Sequence, residues 1–315
     1  MSLRDRIIET AKANGADIVG FAPASRFDKD DAIFKIMPET KTVIGMAFRV
    51  LRGTYRGIEE GTTYYQYSTM AVENMEETIM PMAQLKVAAL IEEEDYYALP
   101  QRRNQTIMAE ENDTNPEVGY ETIYRNRPQE IQMNFLDAAV KCGLGEIGLH
   151  NVLLTDEFGP MVRYCFILTD AEFEATDIKT PHLCDKCGAC VKACPGKAIA
   201  EDGKVDNWQC AVYYAGANGT KNPFMQPDAY SDFEDRIAII AGEAKVTPET
   251  AKKILSKTVF YPSIRHSYKS SICGRACDIA CYIHLEEKGV LTKKFRTKFR
   301  KRPVWQFDIK DFEVE

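Results

Sequence analysis

The stretch LCDKCGACVKACPG (183–196) decides how this chain is interpreted, because Cys184, Cys187, Cys190 and Cys194 follow the pattern C-x2-C-x2-C-x3-C-P. Two-residue gaps let a tight loop wrap three thiolates around one corner of an iron–sulfur cubane. The fourth cysteine follows a longer gap, and in two-cluster ferredoxins it binds the other cluster. A zinc site is the alternative, but zinc knuckles usually pair two C-x2-C units across a longer spacer. The motif therefore predicts a ferredoxin-like module with 4Fe–4S clusters.

A second set of cysteines lies in SSICGRACDIACYIHLEEKG (270–289), where Cys273, Cys277 and Cys281 recur every four residues. On a helix this spacing places all three on one stripe. Cys210, in DNWQC (206–210), is the nearest unassigned thiol and would complete the second set. Exchange of the fourth ligands then predicts one cluster on Cys184, Cys187, Cys190 and Cys281, and another on Cys194, Cys210, Cys273 and Cys277.

Composition favours a cytoplasmic redox protein. Ten cysteines in 315 residues, without a recognisable secretion signal, argue for metal or redox chemistry rather than disulfides. No window approaches the roughly 18 apolar residues that a membrane helix needs, so no membrane association is expected. The net charge of −7 disfavours nucleic-acid binding over the whole surface. KKFRTKFRKR (293–302) is the exception, and it is either a solvated tail or a docking patch for an acidic electron carrier or for RNA.

Hydrophobic periodicity divides the chain into three parts. Interleaved helices and strands over residues 1–175 predict a layered α/β or α+β domain. Residues 176–290 form the ferredoxin-like module, with a long insertion at 211–272, and residues 291–315 form a basic C-terminal tail. The individual predictions are helices at 3–14, 69–94, 128–142 and 247–257, strands at 17–22, 42–50 and 161–170, and a loop at 215–235.

The segment KCGLGEIGLHNVLLTDEFGPMVRYCFILTD (141–170) resembles a stretch of cobalamin-dependent reductive dehalogenases and epoxyqueuosine reductases. The resemblance implies a nitroreductase-like domain that holds a corrinoid without a protein ligand to cobalt, beside clusters that reduce the cobalt. Glycines at such a site would let backbone N–H groups approach a large cofactor. The residues implied to bind it are Gly143, Gly145, Gly148, Thr155, Gly159 and Arg163.

Two tyrosine-containing segments are further candidates for the active site. GYETIYRNR (119–127) offers Tyr120, Tyr124 and Arg125, which match the tyrosine beside a basic residue that the resemblance implies in dehalogenases. A tyrosine near a cation could donate a proton, although a surface turn would have the same sequence. The tyrosines of RGTYRGIEEGTTYYQYS (52–68) could line a macrocycle or a substrate mouth, or could alternate along an edge strand.

Together these features predict an iron–sulfur oxidoreductase of anaerobic or microaerobic metabolism. Two 4Fe–4S clusters would pass electrons from a low-potential donor, such as ferredoxin or flavodoxin, to cobalamin for reduction of a small organic substrate. One alternative is an electron-transfer partner without its own substrate site, because the acidic proton donor that the resemblance implies for epoxyqueuosine reductases has no match here. The other alternative is a tRNA epoxyqueuosine-type reductase that would use the basic tail.

Overall fold

The computed structural model describes residues 1–101, 131–258 and 271–312. Within these ranges the chain mixes helices with a four-stranded sheet of order β1-β2-β6-β3, in which all neighbouring strands run antiparallel. The strands are β1 (Ile18–Pro23), β2 (Thr42–Arg49), β3 (Ala98–Gln101), β4 (Glu146–Ile147), β5 (Leu153–Leu154) and β6 (Val162–Thr169), with β4 and β5 pairing separately. Antiparallel pairing makes the fold α+β rather than α/β.

Ten α-helices surround or follow this sheet in the described ranges. They are α1 (Leu3–Ala13), α2 (Ala32–Ile36), α3 (Gly53–Glu59), α4 (Met80–Glu92), α5 (Phe135–Lys141), α6 (Ala189–Ala193), α7 (Asn207–Ala215), α8 (Arg236–Ala241), α9 (Pro248–Lys257) and α10 (Ala276–Lys288). Helix α1 begins as predicted, because the Ser2 hydroxyl accepts from the Asp5 N–H and the Asp5 carboxylate accepts from the Ser2 N–H. In the described ranges, no helix combines the length and the apolar character needed to cross a membrane.

Helices cover both faces of the sheet. On β2, Ile44, Met46 and Phe48 pack with α1 and α4, whereas Val43 and Ala47 point to the opposite face and pack with α5. This division follows from the alternation of side chains along a strand. The layered arrangement predicted for the first domain is therefore present, while its nitroreductase-like character stays a prediction.

Two predicted helices differ from the structure. Within residues 131–142, which the structure describes, the helix expected at 128–142 is helical only at Phe135–Lys141, because Asn134 accepts from the Asp137 N–H and caps the helix there. The helix expected at 69–94 is π-helical at Tyr67–Glu73 and Met75–Ile79 before α4 begins. Pro81 lies in the first turn of α4, where its missing N–H disturbs no α-helical hydrogen bond.

The predicted insertion contains a folded core of its own. Helix α7 packs against α9, and Trp208 and Val212 of α7 share a buried cluster with Ile239 of α8 and Ile254 of α9. Residues 215–235 are largely turns, as predicted, apart from one 3-10 turn at Gly219–Lys221. The insertion therefore builds a helical platform around α7, which carries Cys210.

The basic tail lies across the tyrosine-rich segment. Arg300 pairs with the buried Glu59, and the Trp305 indole N–H donates to the Ile58 carbonyl at 2.8 Å. Phe299 is 1% exposed in the same core. The tail is thus partly a structural strap, and only part of its charge remains for a partner.

Candidate functional site

Four thiols from two elements surround one cavity. We call Cys184, Cys187, Cys190 and Cys281 the first cysteine group. The loop before α6 and α6 itself supply three of them, and α10 packs along α6 to add the fourth. The loop turns tightly because Lys186 and Gly188 adopt left-handed backbone conformations, with φ of 56° and 73°. All four line one cavity.

A buried carboxylate fixes the start of this loop. Glu146 of β4 is 3% exposed and accepts the backbone N–H groups of three successive residues. The N···O distances are 2.6 Å from His182, 3.0 Å and 3.1 Å from Leu183, and 2.8 Å from Cys184. Hydrogen bonds to an ionised acceptor are about twice as strong as neutral ones. Glu146 therefore joins the glycine-rich turn at 143–148 to the first cysteine group, a role that the sequence prediction missed.

Four further thiols meet at the start of α10. We call Cys194, Cys210, Cys273 and Cys277 the second cysteine group. They come from the end of α6, from α7, from the turn before α10 and from its first turn. Burial is the main influence that raises the pKa of Cys210 to about 12, and the nearby Cys273 and Cys194 raise it further. Burial likewise raises the pKa of Cys277, with contributions from Cys273 and Cys210.

The chemistry of both groups fits an iron–sulfur cluster. Each offers four cysteines outside any disulfide, and four thiolates are the usual ligand set of a 4Fe–4S cluster. The described side chains fall into the two sets that the sequence predicts, although their binding of iron stays a prediction. Cys142 and Cys165 are buried in the sheet domain, as expected of inert thiols.

Helix α10 brings the two groups close together. Cys277 and Cys281 are one helical turn apart, a spacing that separates Cβ atoms by about 5–6 Å, yet they belong to different groups. Between them lies Asp278, which is 2% exposed and accepts from the Arg275 guanidinium at 2.7 Å and 3.1 Å. Two clusters bound here would be near neighbours across one buried ion pair.

The residues predicted to bind a corrinoid mostly pack against the chain itself. A Cβ on Gly143 would lie 2.3 Å from the Asp177 carbonyl oxygen, and one on Gly145 would lie 2.1 Å from the Leu154 carbonyl oxygen. Gly148 has the His150 ring at 3.1 Å from the corresponding position. These close approaches require glycine without any cofactor.

The other members of that set make polar contacts within the chain. Thr155 and Gly159 exchange backbone hydrogen bonds within one turn. Arg163 of β6 instead donates to the Tyr67 hydroxyl at 2.7 Å and lies 3.5 Å from a Glu76 carboxylate oxygen. Its side chain is 18% exposed; burial lowers its pKa, but the neighbouring Tyr67 hydroxyl and Glu76 carboxylate raise it above its usual range. The role of this set in corrinoid binding stays a prediction.

The tyrosine candidates have different outcomes. Tyr120, Tyr124 and Arg125 lie outside the described residues, so their proposed catalytic role stays a prediction. The alternating edge strand at 52–68 is wrong, because the chain forms α3 and a π-helical turn there. Tyr55 and Tyr67 are buried with ring centroids 4.7 Å apart. Tyr67 and Arg163 form the tyrosine–cation pair that the structure does bring together.

Histidine and acid side chains flank the surface edge of the first cysteine group. Asp185, Cys187 and His284 place one potential ligand atom each within 4.8 Å of one another. His284 Nε2 is 3.0 Å and Lys288 Nζ is 2.9 Å from Asp185 Oδ2, so the acid is already paired. Since Cys187 belongs to the cysteine motif, we assign this trio to the edge of the same site.

Part of the chain matches a known family model, and longer stretches match named relatives. A family model described as "4Fe-4S binding domain" matches residues 178–200. Curated relatives are named epoxyqueuosine reductase. The protein from Gloeobacter violaceus is 39% identical over 80 residues, which is 25% of each chain, and that from Synechococcus sp. is 31% identical over 136 residues, or 42% of this chain and 40% of the relative. The matches thus span well under half of the relatives' length.

Solved structures give a weaker likeness. Epoxyqueuosine reductase from Bacillus subtilis superposes with a TM-score of 0.46 and 14% identity, over 91% of this chain and 83% of the other. A catabolic reductive dehalogenase gives a TM-score of 0.47 and 18% identity, over 79% of this chain and 35% of the other. The sequence matches and the cysteine geometry, rather than these superpositions, carry the functional argument.

Proposed function

We propose that the protein is an iron–sulfur oxidoreductase that passes electrons through two 4Fe–4S clusters. The observation that carries the proposal is the convergence of eight cysteines into two groups of four, linked by α10. The first group would receive electrons, because Cys187 is exposed whereas Cys277 and Cys273 lie deeper. The second group would pass them onward to the substrate.

Cluster content tests this proposal directly. After anaerobic reconstitution, iron and acid-labile sulfide should each approach about eight per chain, four for each cluster. Replacement of Cys281 by alanine should remove about half of the iron, whereas Cys142→Ala should leave it unchanged. An iron content near four per chain in the wild-type protein would mean that only one cluster is bound. Tightly bound zinc in place of iron would contradict the proposal.

We propose an epoxyqueuosine-type substrate in tRNA rather than a small organic molecule. The name shared by the curated relatives supports this choice. Reductive removal of an epoxide oxygen as water consumes two electrons and two protons, which matches delivery through two one-electron centres. Arg296, Lys298 and Lys301 of the tail are exposed and offer cations to a phosphate backbone.

The substrate proposal is tested by incubating the reduced protein with epoxyqueuosine-containing tRNA and analysing the released nucleosides by mass spectrometry. Loss of the epoxide oxygen is expected. A variant with Arg296, Lys298 and Lys301 changed to glutamine should bind tRNA more weakly and with a smaller salt dependence. The control is a variant in which Lys252 and Lys253 of helix α9 are changed to glutamine. Unchanged tRNA together with efficient reduction of a separate acceptor protein would favour the electron-transfer alternative.

The electron donor and the corrinoid need separate tests. A low-potential ferredoxin or flavodoxin would suit the exposed first group, with Lys186 and Lys192 beside its loop as cations for an acidic carrier. The resemblance also predicts a bound cobalamin. Titration of cobalamin into the reconstituted protein, followed by visible spectroscopy, tests that prediction. An unchanged cobalamin spectrum would show that the prediction is wrong.

A further inference from the structure

We infer that His150 donates a hydrogen bond to the cluster of the first cysteine group and thereby raises its reduction potential. The inference rests on the proposed function, since it requires a cluster in that cavity. His150 follows the turn after β4 and lines the cavity together with all four thiols of the group. It is a positioning residue that tunes the cluster, rather than a ligand.

The ring is buried without the partners it needs. The His150 side chain is 1% exposed, and neither ring nitrogen makes a hydrogen bond to any part of the chain that the structure describes. A buried donor left unpaired costs about 1–3 kcal/mol, and such groups in proteins call for a specific explanation. Sulfide and thiolate atoms of a cluster would be acceptors within the same cavity.

The surrounding backbone holds the ring in place. The Asn151 N–H donates to the Gly148 carbonyl at 2.9 Å, and this turn is tight enough that Asn151 adopts a φ of 57°. A side chain at position 148 would meet the ring at 3.1 Å, so glycine is needed beneath it. The Leu149 N–H, one residue before the ring, is 3.3 Å from Cys184 Sγ and donates to it. This segment thus already directs one donor to the first group.

One side of the ring faces the buried acid of α10. His150 Nε2 is 3.3 Å from Asp278 Oδ1, within ion-pair distance but not aligned for a hydrogen bond. Arg275 holds that carboxylate from another direction. Nδ1 likewise has no hydrogen-bond partner among the described residues. Asp278 is also the neighbour of Cys277, so the His150–Asp278 contact connects the surroundings of the two groups.

The expected consequence is a change in potential confined to one cluster. Hydrogen bonds to cluster sulfurs favour the reduced, more negative state. Loss of the donor should lower the midpoint potential of the first cluster by about 59 mV. At the wild-type midpoint potential, the ratio of oxidised to reduced cluster in the variant would then be about tenfold higher than in the wild type. The second cluster should change much less.

The experiment is a redox titration of the holoprotein followed by electron paramagnetic resonance. His150→Leu should lower the midpoint of the first cluster, and His150→Gln, which keeps a donor, should restore part of the shift. His182→Leu is the matched control, because the His182 side chain is 53% exposed and is not among the residues that line the cavity. An unchanged midpoint in His150→Leu with full iron content, or an equal shift in His182→Leu, would overturn the inference.

A measurement on the wild-type cluster covers the case in which His150→Leu fails to load iron. Protein labelled with 15N-histidine should give a nitrogen coupling to the reduced first cluster in electron–nuclear double resonance, and His284→Leu should retain it. Absence of that coupling in wild type would reject the hydrogen bond. Iron content separates the two proposals, since a wild type near eight irons without the coupling contradicts only the role of His150.

Discussion

Replacement of Glu146 by glutamine tests how the glycine-rich turn supports the first cysteine group. The carboxylate accepts three consecutive N–H groups through four contacts of 2.6–3.1 Å. A glutamine has only one acceptor oxygen. Its NH2 group would face the N–H of either His182 or Cys184, and two donors cannot form a hydrogen bond with each other. The loop would then lose the bond that fixes its conformation at the first ligand.

The expected cost can be worked from those contacts. One buried N–H left without an acceptor costs about 1–3 kcal/mol, and loss of the charge weakens each of the other two bonds by about 0.5–1 kcal/mol. The total is about 3 kcal/mol, concentrated where Cys184 enters the cavity. We therefore expect Glu146→Gln to lose the first cluster preferentially, with iron falling from about eight toward about four per chain.

The assay combines iron analysis, the spectrum of each reduced cluster, and denaturant unfolding followed by cluster absorbance. Glu201→Gln is the control, since Glu201 is exposed in the loop after α6. Full iron content together with an unchanged unfolding midpoint in Glu146→Gln would refute the reasoning, because it would mean that the loop keeps its conformation without the carboxylate.

Three further predictions concern other parts of the molecule. Cys277→Ala should abolish the second cluster signal and keep the first, whereas the buried Cys165→Ala should keep both, and a loss of the first signal alone would contradict the grouping. Gly145→Ala should destabilise the fold or prevent expression, because its Cβ would lie 2.1 Å from a carbonyl oxygen, while Gly53→Ala, with open space around it, should add up to about 1 kcal/mol in urea unfolding. Burial lowers the pKa of Lys221 to about 8, so the unfolded chain binds more protons between about pH 8 and 10.5. The unfolding free energy of wild type should therefore gain about 1–2 kcal/mol across that window relative to Lys221→Met, and parallel pH profiles would argue against the burial of that amine.

Local sequence features predicted the elements whose ends are set by nearby residues. Ser2 and Thr247 cap α1 and α9 as expected, because a cap depends on residues within one turn. Strands β2 and β6 were found from their apolar runs, which fill both faces of a covered sheet. The cysteine spacing likewise predicts two sets of thiols, and the assignment of these sets to clusters stays a prediction.

Long-range contacts decided which faces and segments of the chain are buried. Met82 and Leu85 of α4 are exposed, whereas Ala83 and Val87 of the same helix are buried against the sheet. A hydrophobic pattern alone does not reveal which face meets the sheet when apolar residues occupy both. Tyr55 and Tyr67 lie in helical segments and are buried together with side chains of the C-terminal strap and α10.

The sequence by itself determined which thiols are available and predicted that eight of them form two cluster-binding sets. Only the tertiary structure decided what surrounds those sets. Glu146 and His150 are unremarkable letters in GLGEIGLH, and Asp278 is one acid on a helix. Their roles arise because folding buries them beside the thiols, 36 and more residues apart in the case of Glu146 and its loop. In that setting, a polar group must find partners that no local pattern records.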